Sequence, residues 1–136
     1  YLGRSPRCAE PYASLPGNRW CYQSDAAPSS VAVIGDSHAR SLFPGFAEAE
    51  RELNGRRVLL VAECATLLGV VVLDQPECIE ANRLVLASIG TDAAIDTVVM
   101  TARGQLYTTG RGFGEIEAGI GKSMQSVAGA HRADKA

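Results

Sequence analysis

Four apolar residues, Val31-Ala32-Val33-Ile34, run straight into Gly35-Asp36-Ser37-His38, and this break constrains the chain more than any other stretch. A short uninterrupted apolar run suits a strand buried on both faces. Gly35 permits the tight turn that ends it, and Asp36 or Ser37 can cap the helix that follows. Ser37 thus arrives at a strand's carboxyl end. Open parallel α/β sheets bind ligands in the crevice beyond those ends, where the N–H groups of a helix's first turn can stabilise an oxyanion. Ser37 is therefore a candidate nucleophile.

The rest of the chain alternates in the same way. Leu42, Phe46, Ala49 and Leu53, at i, i+4, i+7 and i+11, predict one face of a helix that Asn54-Gly55 stops. Pro44 removes a backbone donor inside it, so a kink near Arg40 is expected. Residues 57–62 read as a second strand and 63–77 as a loop, whose apolar run 67–73 is either an extra strand or buried loop packing. Ala81, Leu84, Val85 and Ile89 predict a second helix over about 77–89, closed by Gly90. Thr97-Val98-Val99-Met100-Thr101 reads as a third strand. After a stretch holding Gly110, Gly112 and Gly114, Ile116, Ile120 and Met124 suggest a last helix. The order β-α-β-α-β-α predicts a parallel sheet with right-handed crossovers. Three strands alone leave an apolar edge uncovered, so the fold is expected to be incomplete.

With 136 residues, 46% of them hydrophobic, one domain is the expectation. Residues 1–30 hold four of the six prolines and no sustained hydrophobic period, and read as a linker or disulfide-stapled lead-in on which Trp20-Cys21-Tyr22 docks. Residues 31–136 form the domain proper. A net charge of −2, from 13 basic and 15 acidic residues, makes no electrostatic case for nucleic acid. Arg51, Arg56 and Arg57 flank a helix end, where cations complement the helix dipole. The longest apolar stretches, 58–62 and 67–73, fall well short of the ~20 residues that span a bilayer.

Cysteines fall as two local pairs, Cys8 with Cys21 and Cys64 with Cys78. None is spaced CxxC, so two disulfides are expected rather than a metal site, although four cysteines formally allow three connectivities. Disulfides imply an oxidising compartment, whereas four reduced thiols would fit the cytosol.

A serine nucleophile needs a base, usually a histidine oriented by a carboxylate. His38 and His131 are available. Successive helical side chains diverge by about 100°, so His38 is poorly placed to serve Ser37 and is assigned to the turn or the cleft wall. His131 lies in a polar tail.

Residues 31–40 followed by Ser41-Leu42-Phe43-Pro44 resemble block I of the SGNH (GDSL-like) hydrolase superfamily. Gly35-Asp36-Ser37-His38, the loop bounded by Cys64 and Cys78, and Thr101-Ala102-Arg103-Gly104-Gln105-Leu106-Tyr107 are similar to the SGNH domain found after bacterial membrane acyltransferase-3 domains. The resemblance covers roughly residues 31–110 and implies a flavodoxin-like three-layer sandwich, of which three of about five strands are read here. It further implies Ser37 as the nucleophile, with its own N–H as one oxyanion donor, and O-acyl transfer or ester hydrolysis without a cofactor. The implied setting is periplasmic or extracytoplasmic, tethered to the inner membrane by an upstream acyltransferase domain. The implied partner is a carbohydrate acceptor or an O-acylated glycan of the cell envelope.

The sequence also departs from the family pattern. Gly69 is the candidate for the block II glycine. Arg103-Gly104 stands where the block III asparagine is expected, so Arg103 is the candidate electrostatic substitute. Asp36 and Gly35 are assigned to the turn. The terminal Asp-x-x-His pair does not occur, since the tail reads His131-Arg132-Ala133-Asp134. The chain is thus expected to be the N-terminal portion of such a domain, truncated before that block and catalytically incomplete as it stands. One alternative is a non-catalytic SGNH-like module that holds a glycan in the same cleft. Another is an unrelated flavodoxin-like domain in which Asp36 and Ser37 merely cap a helix; phosphate or flavin binding at that turn would distinguish it.

Overall fold

The computed structural model describes residues 7–16, 19–104, 107 and 124–126. A four-stranded sheet carries the fold: β1 (Trp20–Gln23), β2 (Val31–Gly35), β3 (Val58–Ala62) and β5 (Thr97–Thr101), in the spatial order β1-β3-β2-β5. The predicted strands β3, β2 and β5 are parallel, with Val31 opposite both Val58 and Thr97. The sheet is nevertheless mixed, because β1 adds antiparallel to β3 with Trp20 opposite Ala62. The proline-rich lead-in therefore supplies an edge strand to the sheet.

Helix α1 (Ser37–Asn54) packs on one face and α2 (Cys78–Thr91) on the other. Val31, Val33, Val58, Leu60 and Ala62 meet α1, whereas Ala32, Ile34, Leu59 and Val61 meet α2. That two-sided cover is why β2 and β3 are apolar at every position and buried throughout. The α/β sandwich expected from the sequence is the fold observed.

The face of α1 differs from the prediction. Ala39, Phe43 and Ala47 are buried, while Leu42 and Leu53 are 41% and 81% exposed and Ala49 faces solvent. Asp36 sets the start of the helix and hence its rotational phase. Ala39 then lies against Gly35, with 3.4 Å between its Cβ and the position a Cβ would take on the glycine. Close approach selects alanines here, and hydropathy alone overweights the leucines. The helix runs unbroken through Pro44 and ends at Gly55 in the left-handed region, φ 63°. Helix α2 buries Cys78, Ala81, Val85 and Ile89 and extends past Gly90 to Thr91.

The ambiguous run 67–73 contains a short strand, β4 (Val70–Val72), paired antiparallel with β6 (Met124–Ser126). Met124 is therefore in a strand and not in the predicted last helix, because its pairing with Val72 overrides the local helical spacing. Ile116, Ile120 and His131 lie outside the described residues. Both expected disulfides are present, Cys8–Cys21 and Cys64–Cys78, each with its Cα atoms 5.4 Å apart. The first ties the lead-in to β1, and the second anchors the loop after β3 to the start of α2.

Among the described residues β5 is the other edge of the sheet, and Val98 and Met100 are 37% and 49% exposed. At the amino end of the sheet, Arg56 bonds Asp96 and the Thr97 hydroxyl, the latter at 2.9 Å, and so joins the approach to β3 to the start of β5.

Candidate active site

The parallel strands β2, β3 and β5 all end at the same level, on Gly35, Ala62 and Thr101. Antiparallel β1 begins there, since Trp20 faces Ala62. The connections leaving these ends surround a cavity of about 240 Å³ lined by Trp20, Asp36, Ser37, Glu63, Gln75, Arg103 and Tyr107. Strand β2 crosses over to β3 on one side and has β5 on the other, which makes its carboxyl end the point where strand order reverses. That is where open α/β sheets place ligands.

Gly35 brings the pieces close. Its φ is 148°, and a Cβ there would lie 1.8 Å from the Thr101 carbonyl oxygen. The Ser37 turn can therefore sit directly against the arm that leaves β5.

Asp36 is the N-cap of α1 and is 6% exposed. Its Oδ1 accepts the His38 N–H at 2.9 Å, as a capping aspartate does. Its Oδ2 reaches across the cleft to accept the Arg103 N–H at 2.8 Å. Burial first, and then the negative charges of Asp36 and Asp74, push the Tyr107 phenol up to about 12.

Ser37 is the first residue of α1 and is exposed. As a first-turn residue its N–H has no intrahelical acceptor and points out of the helix end, the orientation an oxyanion donor requires. Among the described residues no group hydrogen-bonds the Ser37 hydroxyl.

The sequence candidates divide. Ser37, Asp36 and Arg103 share the cavity. His38 does not line it; its Nδ1 lies 3.3 Å from Asp36 Oδ1 and its side chain is 49% exposed, so it buttresses the turn. Gly69 takes a positive φ of 79° in the turn before β4 and is also not among the lining residues. The Arg103 N–H is engaged by Asp36, so any oxyanion role for Arg103 falls to its guanidinium.

Sequence reasoning passed over Trp20, Glu63 and Gln75. Glu63 directly follows the end of β3, and the rule that located Ser37 locates it as well. Trp20 and Gln75 reach the cavity by pairing and loop folding, for which the sequence carries no local mark. Arg40 lies 4.6 Å and Arg19 5.4 Å from the Trp20 ring centroid, so cation–π contacts fix this wall.

A family model described as an SGNH domain (fused to AT3 domains) matches residues 7–135. No curated protein and no solved structure matches the chain. The match takes in the lead-in that supplies β1 as well as the Ser37 turn, the Cys64–Cys78 loop and the Arg103 arm. By its sequence and its strand-end serine, the chain belongs to the family of SGNH domains fused to AT3 domains.

Proposed function

We propose that this domain performs serine-dependent O-acyl transfer or O-acyl ester hydrolysis on cell-envelope carbohydrate, with Ser37 as the nucleophile. Family membership supports an acyltransferase- or esterase-like function and a membrane acyltransferase partner domain. The observation that carries the finer reading is the exposed Ser37 at the first turn of α1, in a cavity shared with Arg103.

In the first step the Ser37 oxygen attacks the acyl carbonyl, and its proton passes to a base. The Ser37 N–H and the Arg103 guanidinium stabilise the negative charge that develops on the carbonyl oxygen. The leaving alcohol or carrier departs with a proton, leaving an ester on Ser37. A sugar hydroxyl or water then takes the acyl group and restores the serine. The sequence has no Asp-x-x-His pair to act as base and orienter, and His38 is turned to Asp36. The two disulfides support a periplasmic or other extracytoplasmic setting.

External imidazole can act as a base for Ser37, whose hydroxyl no described residue hydrogen-bonds. With p-nitrophenyl acetate and imidazole, peptide mapping is expected to show acetyl on Ser37, and Ser37→Ala to lose it. Acetylation that ignores both imidazole and Ser37 would sink this reading. Glycan binding retained by Ser37→Ala, with no acylation of the parent chain, would favour the non-catalytic module instead.

A further inference from the structure

A second cavity, of about 300 Å³, lies at the amino end of the sheet and is built by parts of the chain far apart in sequence. The lead-in contributes Glu10, the connection from β1 to β2 contributes Ser29, the connection from α2 to β5 contributes Asp92, and β3 contributes the buried Leu59. Two links hold the lead-in wall in place: the Cys8–Cys21 disulfide, and the Tyr12 hydroxyl, which donates to Asp92 Oδ2 at 2.9 Å. The volume suits a small ligand.

Its polar lining is rich in acceptors. Glu10 Oε2 accepts the Ser14 hydroxyl at 2.6 Å, and Asp92 Oδ1 accepts the Ala94 N–H at 3.0 Å. Each carboxylate keeps acceptor capacity beyond these bonds, since its two oxygens offer about four lone-pair sites. Among the described residues neither carboxylate forms an ion pair, and no lysine, arginine or histidine lines the cavity. Arg56, at the same end of the sheet, is engaged by Asp96 and the Thr97 hydroxyl instead.

Ser29 is the independent mark of a missing partner. It lines the same cavity and is 6% exposed, and its hydroxyl has no hydrogen-bond partner among the described residues. A buried polar group left unpaired is destabilising, so an orphan in a cavity wall is a place where a ligand atom completes a bond. Rotation about one side-chain torsion carries this hydroxyl between its staggered positions. Leu59, Pro28 and Ile95 add apolar surface beside it.

We propose that this cavity binds a small organic cation, a primary ammonium on a compact apolar body, with the ammonium held among Glu10, Asp92 and Ser29 and the body against Leu59, Pro28 and Ile95. An ammonium brings three donors and a positive charge to a wall of acceptors. A neutral alcohol brings one donor and no charge, and an anion is repelled by both carboxylates. The site owes nothing to the Ser37 reading, because Ser37 opens at the opposite end of the sheet.

The test is an NMR titration of the chain with benzylammonium chloride, and with benzyl alcohol as its neutral counterpart. Saturable amide shifts are expected at Ala9, Leu59 and Ile95 and not at Ser37 or Arg103, with an affinity at least about tenfold above that for the alcohol, the scale of hydrogen bonds to charged groups. Glu10→Gln, at an exposed residue, should weaken ammonium binding about fivefold and leave the alcohol unaffected. Ser29→Ala should also weaken it about fivefold, without lowering the melting temperature, since it deletes a hydroxyl that has no partner. Equal affinity for the alcohol, or no saturation by the ammonium, would overturn the proposal. So would Ser29→Ala binding as tightly as the parent chain, which would mean that solvent satisfies the hydroxyl.

Discussion

Two phenol–carboxylate pairs sit at opposite ends of the sheet. At the amino end the Tyr12 hydroxyl donates to Asp92 Oδ2 at 2.9 Å, and Asp92 Oδ1 accepts the Ala94 N–H at 3.0 Å. At the carboxyl end Tyr107 and Asp36 line one cavity, and the Asp36 charge helps keep the phenol protonated. Each pair borders a cavity, of about 300 Å³ at the amino end and about 240 Å³ at the carboxyl end. In the larger one Gln23 Oε1 accepts the Ala9 N–H at 2.7 Å and Glu10 Oε2 accepts the Ser14 hydroxyl at 2.6 Å, while the buried Ser29 hydroxyl has no partner among the described residues. The smaller one has an exposed serine at a helix start and an arginine arm beside it. Size therefore does not single out the candidate site; the strand-end position of Ser37 beside Arg103 does. The amino-end pair closes a joint between the lead-in and α2, whereas at the carboxyl end Asp36 joins the start of α1 to the arm after β5 through the Arg103 N–H.

The contrast can be broken most severely at Gly35. Gly35→Ala puts a methyl group into the Thr101 carbonyl oxygen and strains a positive φ, so about 4 kcal/mol or more of stability should be lost in denaturant unfolding. Asp36→Ala comes next, at about 2–3 kcal/mol, because it removes an N-cap and strands the half-buried Arg103 N–H. At the amino end Arg56→Met should cost only about 1 kcal/mol in the same measurement. Of its two carboxylate partners Asp96 is 69% exposed and Glu50 stands off at 3.9 Å, so neither attraction is strong.

The smallest effect is a pH dependence shared by both ends. Burial, and then Asp92, hold the Tyr12 phenol protonated well above its usual range; burial, and then Asp36, do the same for Tyr107. Both folded values are raised, so their stabilisation is complete below the unfolded phenol value of about 10 and is lost as pH rises through the folded values. The loss due to Tyr107 is expected to be on the order of 1 kcal/mol or less near pH 10.5. Tyr107→Phe and Tyr12→Phe should each flatten the alkaline limb of a thermal-stability profile. A limb unchanged in either variant would remove that pair from the comparison.

Much of the fold was legible because its signals are local. The apolar run into Gly35 follows from burial on two faces, the stop at Asn54-Gly55 from backbone dihedral preference, and strand Thr97–Thr101 from its β-branched residues. The α1 face was misread because hydropathy ranks Leu42 and Leu53 above Ala39 and Ala47, whereas contact with the Gly35 turn favours small side chains. Strand β1 was hidden in a proline-rich lead-in, since an edge strand needs only a partner with open hydrogen bonds. In the site, Ser37 and Arg103 were visible as strand-end residues. The role of Asp36 was only half visible: a helix cap is written in the adjacent sequence, but an acceptor for a backbone N–H 67 residues away is not.

By itself the sequence pointed to where the Ser37 turn lies, to three parallel strands and to two local cysteine pairs. Each is read from apolar runs, helical spacing or short separations along the chain. Only the tertiary structure decided the phase of α1, the place of β1, the pairing of β4 with β6 and the convergence of Asp36, Arg103 and Tyr107. Those depend on distances across the sheet, fixed only when both helices have packed and the strand ends lie side by side.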